Sequence, residues 1–154
     1  KLPNCSRNKL FLVYIYIEFI LESHNNKILK LNHLGIATSN MQKAEKFVRN
    51  THNVINNIGP IWDPNLKANL QLFEIRNGIS IELVDGPVVS SLIKKGITLY
   101  HHCYEVDDLN SKIIEYKKNG EFIIVKPTPA LLFENRLVSF INTPIGIIEL
   151  LSSK

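Results

Sequence analysis

Leu31-Asn32-His33-Leu34-Gly35-Ile36-Ala37 has a counterpart 68 residues later at Leu99-Tyr100-His101. In each case an apolar run follows and then a helix start, Ser39-Asn40-Met41 or Asp107-Asp108-Leu109. A second pair of segments runs from Phe73 to Leu83 and from Phe140 to Leu150. They end Ile79-Ser80-Ile81-Glu82-Leu83 and Gly146-Ile147-Ile148-Glu149-Leu150, an offset of 67 (149 minus 82). Two independent segments therefore share nearly one offset. A unit this long, present only twice, does not fit a stacked solenoid; it predicts two pseudo-symmetric halves folded about a common centre.

Working outward, residues 29–37 alternate loosely and read as a strand. Ser39 or Asn40 can cap a helix whose apolar residues Met41, Ala44, Phe47 and Val48 recur at helical spacing and which ends near Asn50. Asn53 to Ile58 reads as a short strand, and Gly59-Pro60 with Asp63-Pro64-Asn65 as a turn-rich loop. Ala68 to Ile75 and Ile79 to Val84 read as a hairpin around Asn77-Gly78, a strong two-residue turn signal. Gly86-Pro87 opens a connector with a short helix to Lys95. The second half repeats the order: a strand from Thr98 to Val106, a helix from Leu109 to Lys118 closed at Asn119-Gly120, and a strand from Phe122 to Val125. Pro127 to Asn135 reads as a loop, followed by a hairpin around Thr143-Pro144.

With 154 residues, 45% hydrophobic and 21% charged, the chain has the makings of a globular domain with a real core. The partition expected is an N-terminal extension of undefined role over 1–28, module one over 29–85, a connector over 86–97 and module two over 98–152. The net charge of +4 comes from scattered lysines, and Lys94-Lys95 and Lys117-Lys118 sit at helix ends, where cations suit the dipole. Nucleic acid is therefore not an expected partner. Cys5 and Cys103 stand far apart with no Cys-x-x-Cys pair, which points to a reducing, cytoplasmic setting. Leu10 to Leu21 is apolar, interrupted by Glu18 and preceded by Arg7 and Lys9, but it has no small-residue cleavage site and is too short to span a bilayer. An added strand or helix, or a non-native leader, is expected there, with a targeting signal as the lesser alternative and no membrane partner.

If the two halves are equivalent, His33 and His101 lie on matching first strands, and Glu82 and Glu149 on matching last strands. Two imidazoles and two carboxylates would then converge on one site. That donor set suits one divalent ion, Zn, Ni, Co, Mn or Fe, with exchangeable positions left open. Such an ion polarises a carbonyl or lowers the pKa of bound water, and a carboxylate that leaves it can take a proton from the adjacent carbon. Glu149 and Glu82 are accordingly the candidate catalytic carboxylates as well as ligands. A glutamate flanked by Ile and Leu in a strand needs a partner if buried. His102 must face away from His101 by strand alternation. His24 and His52 have no counterpart in the other half and read as surface residues. Gln71, Glu74, Tyr104 and Glu105 are further pocket or supporting groups, with an ordinary structural role as the default.

The stretches 31–37, Ile81-Glu82-Leu83-Val84, His101 leading into Cys-Tyr-Glu-Val-Asp-Asp (103–108) and Gly146-Ile147-Ile148-Glu149-Leu150 together resemble the vicinal oxygen chelate superfamily of glyoxalases, bleomycin resistance proteins and dioxygenases. The likeness spans about residues 29–152 and is nearest to methylmalonyl-CoA epimerase. It implies an α+β fold in which two βαβββ modules form a curled, incompletely closed mixed sheet around a metal cleft. It also implies metal ligands at His33, Glu82, His101 and Glu149, a small-molecule carbonyl or thioester substrate, and a homodimer. The chemistry implied is a metal-dependent isomerase or lyase, epimerase-like, with lactoylglutathione lyase chemistry of the glyoxalase I type as the near rival. A non-catalytic small-molecule binding module is the reading from another class. The chain departs from the epimerases at Pro127 to Asn135, which contains no glycine, and at the end of its first helix.

Overall fold

Two polar side chains start the two long helices, and they occupy matching places in the two halves. Asn40 accepts the backbone N–H of Lys43, and Asp108 that of Ser111, both at 2.9 Å. Each cap stabilises its helix by giving an otherwise unpaired first-turn N–H an acceptor. In the computed structural model, which describes residues 29–154, the first half runs β1 (Lys30–Ala37), α1 (Met41–Thr51), β2 (Val54–Asp63), β3 (Ala68–Ile75) and β4 (Ser80–Asp85). A 3-10 turn at Pro87–Val89 and α2 (Ser90–Lys94) connect it to β5 (Leu99–Val106), α3 (Leu109–Lys118), β6 (Phe122–Ala130), a 3-10 turn at Leu131–Phe133, β7 (Arg136–Thr143) and β8 (Gly146–Ser152). The expectations for residues 1–28, with Cys5, His24 and the apolar run, lie outside the described residues.

All eight strands form one mixed, curled sheet in the order β2-β3-β4-β1-β5-β8-β7-β6. The order is a palindrome about the β1/β5 seam. β1 and β5 pair antiparallel there, while β1 with β4 and β5 with β8 are parallel. The outer face of each half is covered by its own helix. Met41 and Val48 of α1 pack on Phe73 and Leu83, and Leu109 and Ile113 of α3 pack on Ile141, Ile148 and Leu150. The inner faces share a third apolar cluster that includes Ala68, Leu70, Leu72, Val84, Val138, Phe140 and Leu151. This is the mixed α+β architecture expected.

Two loop expectations are corrected. β2 runs on through Gly59-Pro60 to Asp63, and β6 runs through Pro127 and Pro129 to Ala130. Both are the edge strands of the sheet, where a proline's missing N–H removes no needed ladder bond. The pairing simply skips, between Ile58 and Ile61 in one half and between Val125 and Thr128 in the other. The hairpin alignment also shifts by one residue. Leu72, not Phe73, is the counterpart of Phe140, since each stands opposite its half's glutamate, Glu82 or Glu149. Phe73 packs under α1, and the change of offset from 68 to 67 falls in the turns after these residues.

At one end the two edges are tied together. Asp63, fully buried at the end of β2, accepts N–H groups from Asn65 at 2.8 Å, Leu66 at 3.1 Å and, across the cleft, Leu131 at 2.9 Å. The Asn65 amide adds a bond to the Pro129 carbonyl at 3.2 Å. Two bulges break the central seam. Leu31 and His33 oppose the consecutive residues Tyr104 and Cys103, leaving Asn32 as the extra residue; Gly35 and Ile36 oppose His101 and Leu99, leaving Tyr100 extra. Asn32 and Tyr100 are 68 residues apart, so the bulges are themselves symmetry-related. A bulge re-aims a side chain that alternation would send to the other face.

Candidate metal centre

The four central strands β4, β1, β5 and β8 each carry one polar side chain into the cleft, and all four side chains are buried: His33, Glu82, His101 and Glu149 are 0–2% exposed. One ligand atom from each lies within 4.8 Å of the others. The two Nε2 atoms are 3.1 Å apart. Glu149 Oε2 lies 3.0 Å from His33 Nε2 and 3.1 Å from His101 Nε2, and Glu82 Oε2 lies 3.5 and 3.2 Å from the same atoms. Gly35 makes this approach feasible, since a Cβ there would lie 2.1 Å from Cε1 of the His101 ring.

These separations match a common cation better than a closed set of hydrogen bonds. Ligands bonded at about 2.1 Å lie about 3.0 Å apart when adjacent in an octahedron and about 3.4 Å apart in a tetrahedron. Burial alone would depress the His33 pKa, but contact with the Glu149 and Glu82 carboxylates outweighs it and raises it to about 10. His101 is shifted the same way: burial opposes the shift and Glu149 drives it. Both carboxylates are held below their usual range although burial works against this, Glu82 by His101 and His33 contacts and Glu149 chiefly by the charge of His101. Without a cation, the two ring nitrogens that meet the carboxylates also face each other at 3.1 Å, where two N–H groups could not accept from one another. Among the described residues, Glu149 Oε2 is also left without an aligned donor. A divalent ion at that point would remove the conflict and give that oxygen a partner, so the residues present fit the group.

The cluster floors a cavity of about 60 Å³ whose lining includes Leu66, Ala68, Leu70, Val84, Val125 and Phe140. Glu82, His101 and Glu149 open into it, together with Tyr100. Burial, then the charges of Glu149 and Glu82, push the Tyr100 phenol up to about 12, so it remains a neutral donor at physiological pH. Tyr100 also meets the His101 ring edge-on at 4.8 Å and stacks on Phe140 at 5.9 Å. On the other side, the Phe133 ring stacks on His33 at 5.3 Å. Cys103, two residues past His101 and fully buried, has its thiol pushed well up by burial and then by Glu149.

The remaining residues singled out from the sequence separate. His102 shares its rung with Leu34 and Ile148, on the face covered by helix α3, and is not part of the cluster. Gln71 is buried opposite Leu83, next to Phe73, with its Oε1 unpaired, and it does not line the cleft cavity. Tyr104 packs against the cluster beneath α3. Glu74 lines a second cavity, of about 250 Å³, with Asn32, Ser80, Phe133 and Arg136. Glu105 reaches the site indirectly, through Asn32. His52 is the exposed C-cap of α1, bonded to the Thr51 hydroxyl at 2.9 Å. Sequence reasoning gives no role to Asn32 or Tyr100; the only signal in the residue order is that each precedes its histidine at the repeat offset.

The profile of the Glyoxalase/Bleomycin resistance protein/Dioxygenase superfamily matches residues 32–140, more than half of the chain. The chain belongs to this superfamily. Solved structures with the same fold include a hypothetical protein from Bacillus halodurans C-125, 23% identical, with a TM-score of 0.67 over 83% of this chain and 96% of that one. Methylmalonyl-CoA epimerase from Mycobacterium tuberculosis is 18% identical, with a TM-score of 0.68 over 81% of this chain and 88% of that one. A Streptomyces coelicolor methylmalonyl-CoA epimerase variant, in complex with 2-nitronate-propionyl-CoA, is 17% identical, with a TM-score of 0.65 over 82% and 96%. At these identities the likeness is one of fold. No curated protein matches the sequence significantly. Among the described residues no helix is long and apolar enough to cross a membrane.

Proposed function

We propose that this superfamily member is a metal-dependent enzyme that removes and returns a proton on the carbon next to a carbonyl group, in the manner of methylmalonyl-CoA epimerase. The observation that carries this is the convergence of two buried imidazoles and two buried carboxylates at the floor of a cavity with apolar walls. His33, Glu82, His101 and Glu149 would hold one divalent ion. When bound, such an ion polarises the substrate carbonyl and stabilises the negative charge that develops on its oxygen.

The chain's own groups account for the rest. Among the described residues, Glu82 and Glu149 are the acidic side chains lining the cavity, and in this reading the proton passes through one or both. Glu82 on β4 and Glu149 on β8 flank the central β1/β5 pair, and in this reading one carboxylate accepts the proton from one face of the carbon while the other delivers it from the opposite face. The Tyr100 hydroxyl is a neutral donor within reach of a polar substrate atom in the same cavity. Leu70, Val84, Val125 and Phe140 keep the reacting carbon dry, which strengthens every charge interaction there.

The test is deuterium wash-in from D2O at the carbon beside the carbonyl of methylmalonyl-CoA, using protein loaded in turn with Zn, Ni and Co. Turnover of methylglyoxal with glutathione, run alongside, reads the lyase alternative. Incorporation into methylmalonyl-CoA supports the epimerase reading. Turnover of the hemithioacetal alone reassigns the chain as a lyase. Metal-loaded protein inert in both assays would remove both substrates and favour a binding module.

A further inference from the structure

His33 and His101 are related by the pseudo-twofold, yet only one of them is supported from behind. Asn32 Oδ1 lies 3.0 Å from Nδ1 of His33. The Nδ1 of His101 is buried without a partner among the described residues, and the equivalent bulge residue there is Tyr100, whose ring meets the imidazole edge-on. Behind Asn32 the chain of contacts continues. Its Nδ2 donates to Glu105 Oε2 at 3.2 Å, and the same oxygen forms an ion pair with Arg136 Nη2 at 3.1 Å. Arg136 is in turn held by its Nε, which donates to the Ser152 carbonyl at 2.6 Å.

The donor and acceptor roles in this chain run in one direction only. A carboxylate paired with a guanidinium accepts and cannot donate. Asn32 must therefore turn its NH2 toward Glu105, which leaves its carbonyl oxygen facing His33. An oxygen there requires a proton on Nδ1, and in a neutral imidazole that puts the lone pair on Nε2, the atom that points into the cluster. We propose that Glu105, acting through Asn32, fixes the tautomer of His33 and so makes it the anchored member of the ligand set. Glu105 touches neither substrate nor metal; it is a positioning residue. This inference rests on the metal-binding reading above and adds to it the group that sets ligand geometry.

Glu105→Gln reverses the logic with little change in shape. A glutamine amide can donate to Asn32, so Asn32 is free to flip and offer its NH2 to His33, which stabilises the wrong tautomer. Adding Asn32→Asp restores an acceptor for Nδ1 and supplies another for the introduced amide, while the local charge returns to that of the native set. The measurement is zinc affinity by competition with a chromophoric chelator, paired with long-range 1H–15N NMR of the His33 ring in the zinc-loaded protein. Outer-shell partners of metal-bound histidines contribute about 10–100-fold to affinity. Glu105→Gln and Asn32→Leu are expected to weaken zinc binding by that factor, and the double variant Asn32→Asp with Glu105→Gln to return it near the native value with the Nδ1 proton restored. A Glu105→Gln protein that binds zinc as tightly as the native one, or a double variant no better than Glu105→Gln alone, overturns the proposal. Native protein that binds no zinc at all is a different result: it rejects the metal reading and takes this inference with it.

Discussion

Adding one methyl group at Gly35 should dismantle the centre while leaving the fold standing. In Gly35→Ala the new Cβ would lie 2.1 Å from Cε1 of His101 and 2.4 Å from both ring nitrogens. Carbon atoms settle at about 3.5–4.0 Å, so the imidazole must withdraw by about 1.4 Å. It has little room to do so, since Tyr100 and Phe140 hold the ring at 4.8 and 5.3 Å between centroids. A zinc–nitrogen bond of about 2.0–2.1 Å does not survive that retreat, so His101 is lost as a ligand. Affinity for zinc or cobalt should fall at least as far as the roughly 100-fold upper range for losing an outer-shell partner. Overpacking should lower fold stability by about 1–3 kcal/mol, each kcal/mol lowering the melting temperature by roughly 2–4 °C in a domain of this size. Chelator competition reads the first effect and thermal melting of metal-free protein the second. The three atoms nearest the added Cβ all belong to the His101 ring, so in a His101→Ala background the same substitution should cost much less in melting temperature. A Gly35→Ala protein with native metal affinity, or one equally destabilised whether or not His101 is present, would refute this reasoning.

Three further outcomes follow from the geometry. Glu149→Gln should abolish proton exchange more completely than it weakens metal binding, because the carboxylate is both ligand and base; exchange at the native rate would remove Glu149 from the mechanism. Asp63→Ala should destabilise the protein by about 1–3 kcal/mol, because three partly buried N–H groups lose one buried acceptor at once; a melting temperature unchanged from native would show that the tie between the sheet edges is dispensable. Metal-free protein should lose stability as pH rises: the His33 pKa is raised from 6.5 to about 10 in the fold, so its contribution is complete below 6.5 and disappears as pH passes through 10. The depressed Glu82 and Glu149 give the opposite limb, stability lost as pH falls below the ordinary carboxylate range. Metal affinity should instead increase with pH, since the ligand imidazoles must be neutral. Denaturant midpoints of metal-free protein at pH 3, 4, 6, 8 and 10, with zinc added at the upper three, check these signs.

Much of this molecule could be read from residue order. The repeat of His33 in His101 and of Glu82 in Glu149 locates the four cleft side chains, because equivalent strands present equivalent faces. Helix starts were readable from Asn40 and Asp108, whose short polar side chains have a local job. The failures share a cause: they depend on which strands become neighbours. Pro127 and Pro129 look like loop residues until β6 is known to be an edge. Phe73 aligns with Phe140 by letter, but pairing opposite Glu82 selects Leu72. Alternation would send Asn32 and Tyr100 away from the cleft, and only the two bulges at the seam bring them beside their histidines. Gly35 could pass for an ordinary glycine in a strand until the imidazole that crosses it is in place.

The palindromic strand order divides labour within the sheet. Everything that would grip an ion hangs from the four middle strands, whereas Ala68 and Leu70 of β3, Val125 of β6 and Phe140 of β7 shape the chamber above it from the flanks. Substitutions in those flanking walls can therefore remodel which molecule is admitted while the reactive core keeps its geometry. A scaffold arranged in this way can trade one substrate for another without reinventing its chemistry.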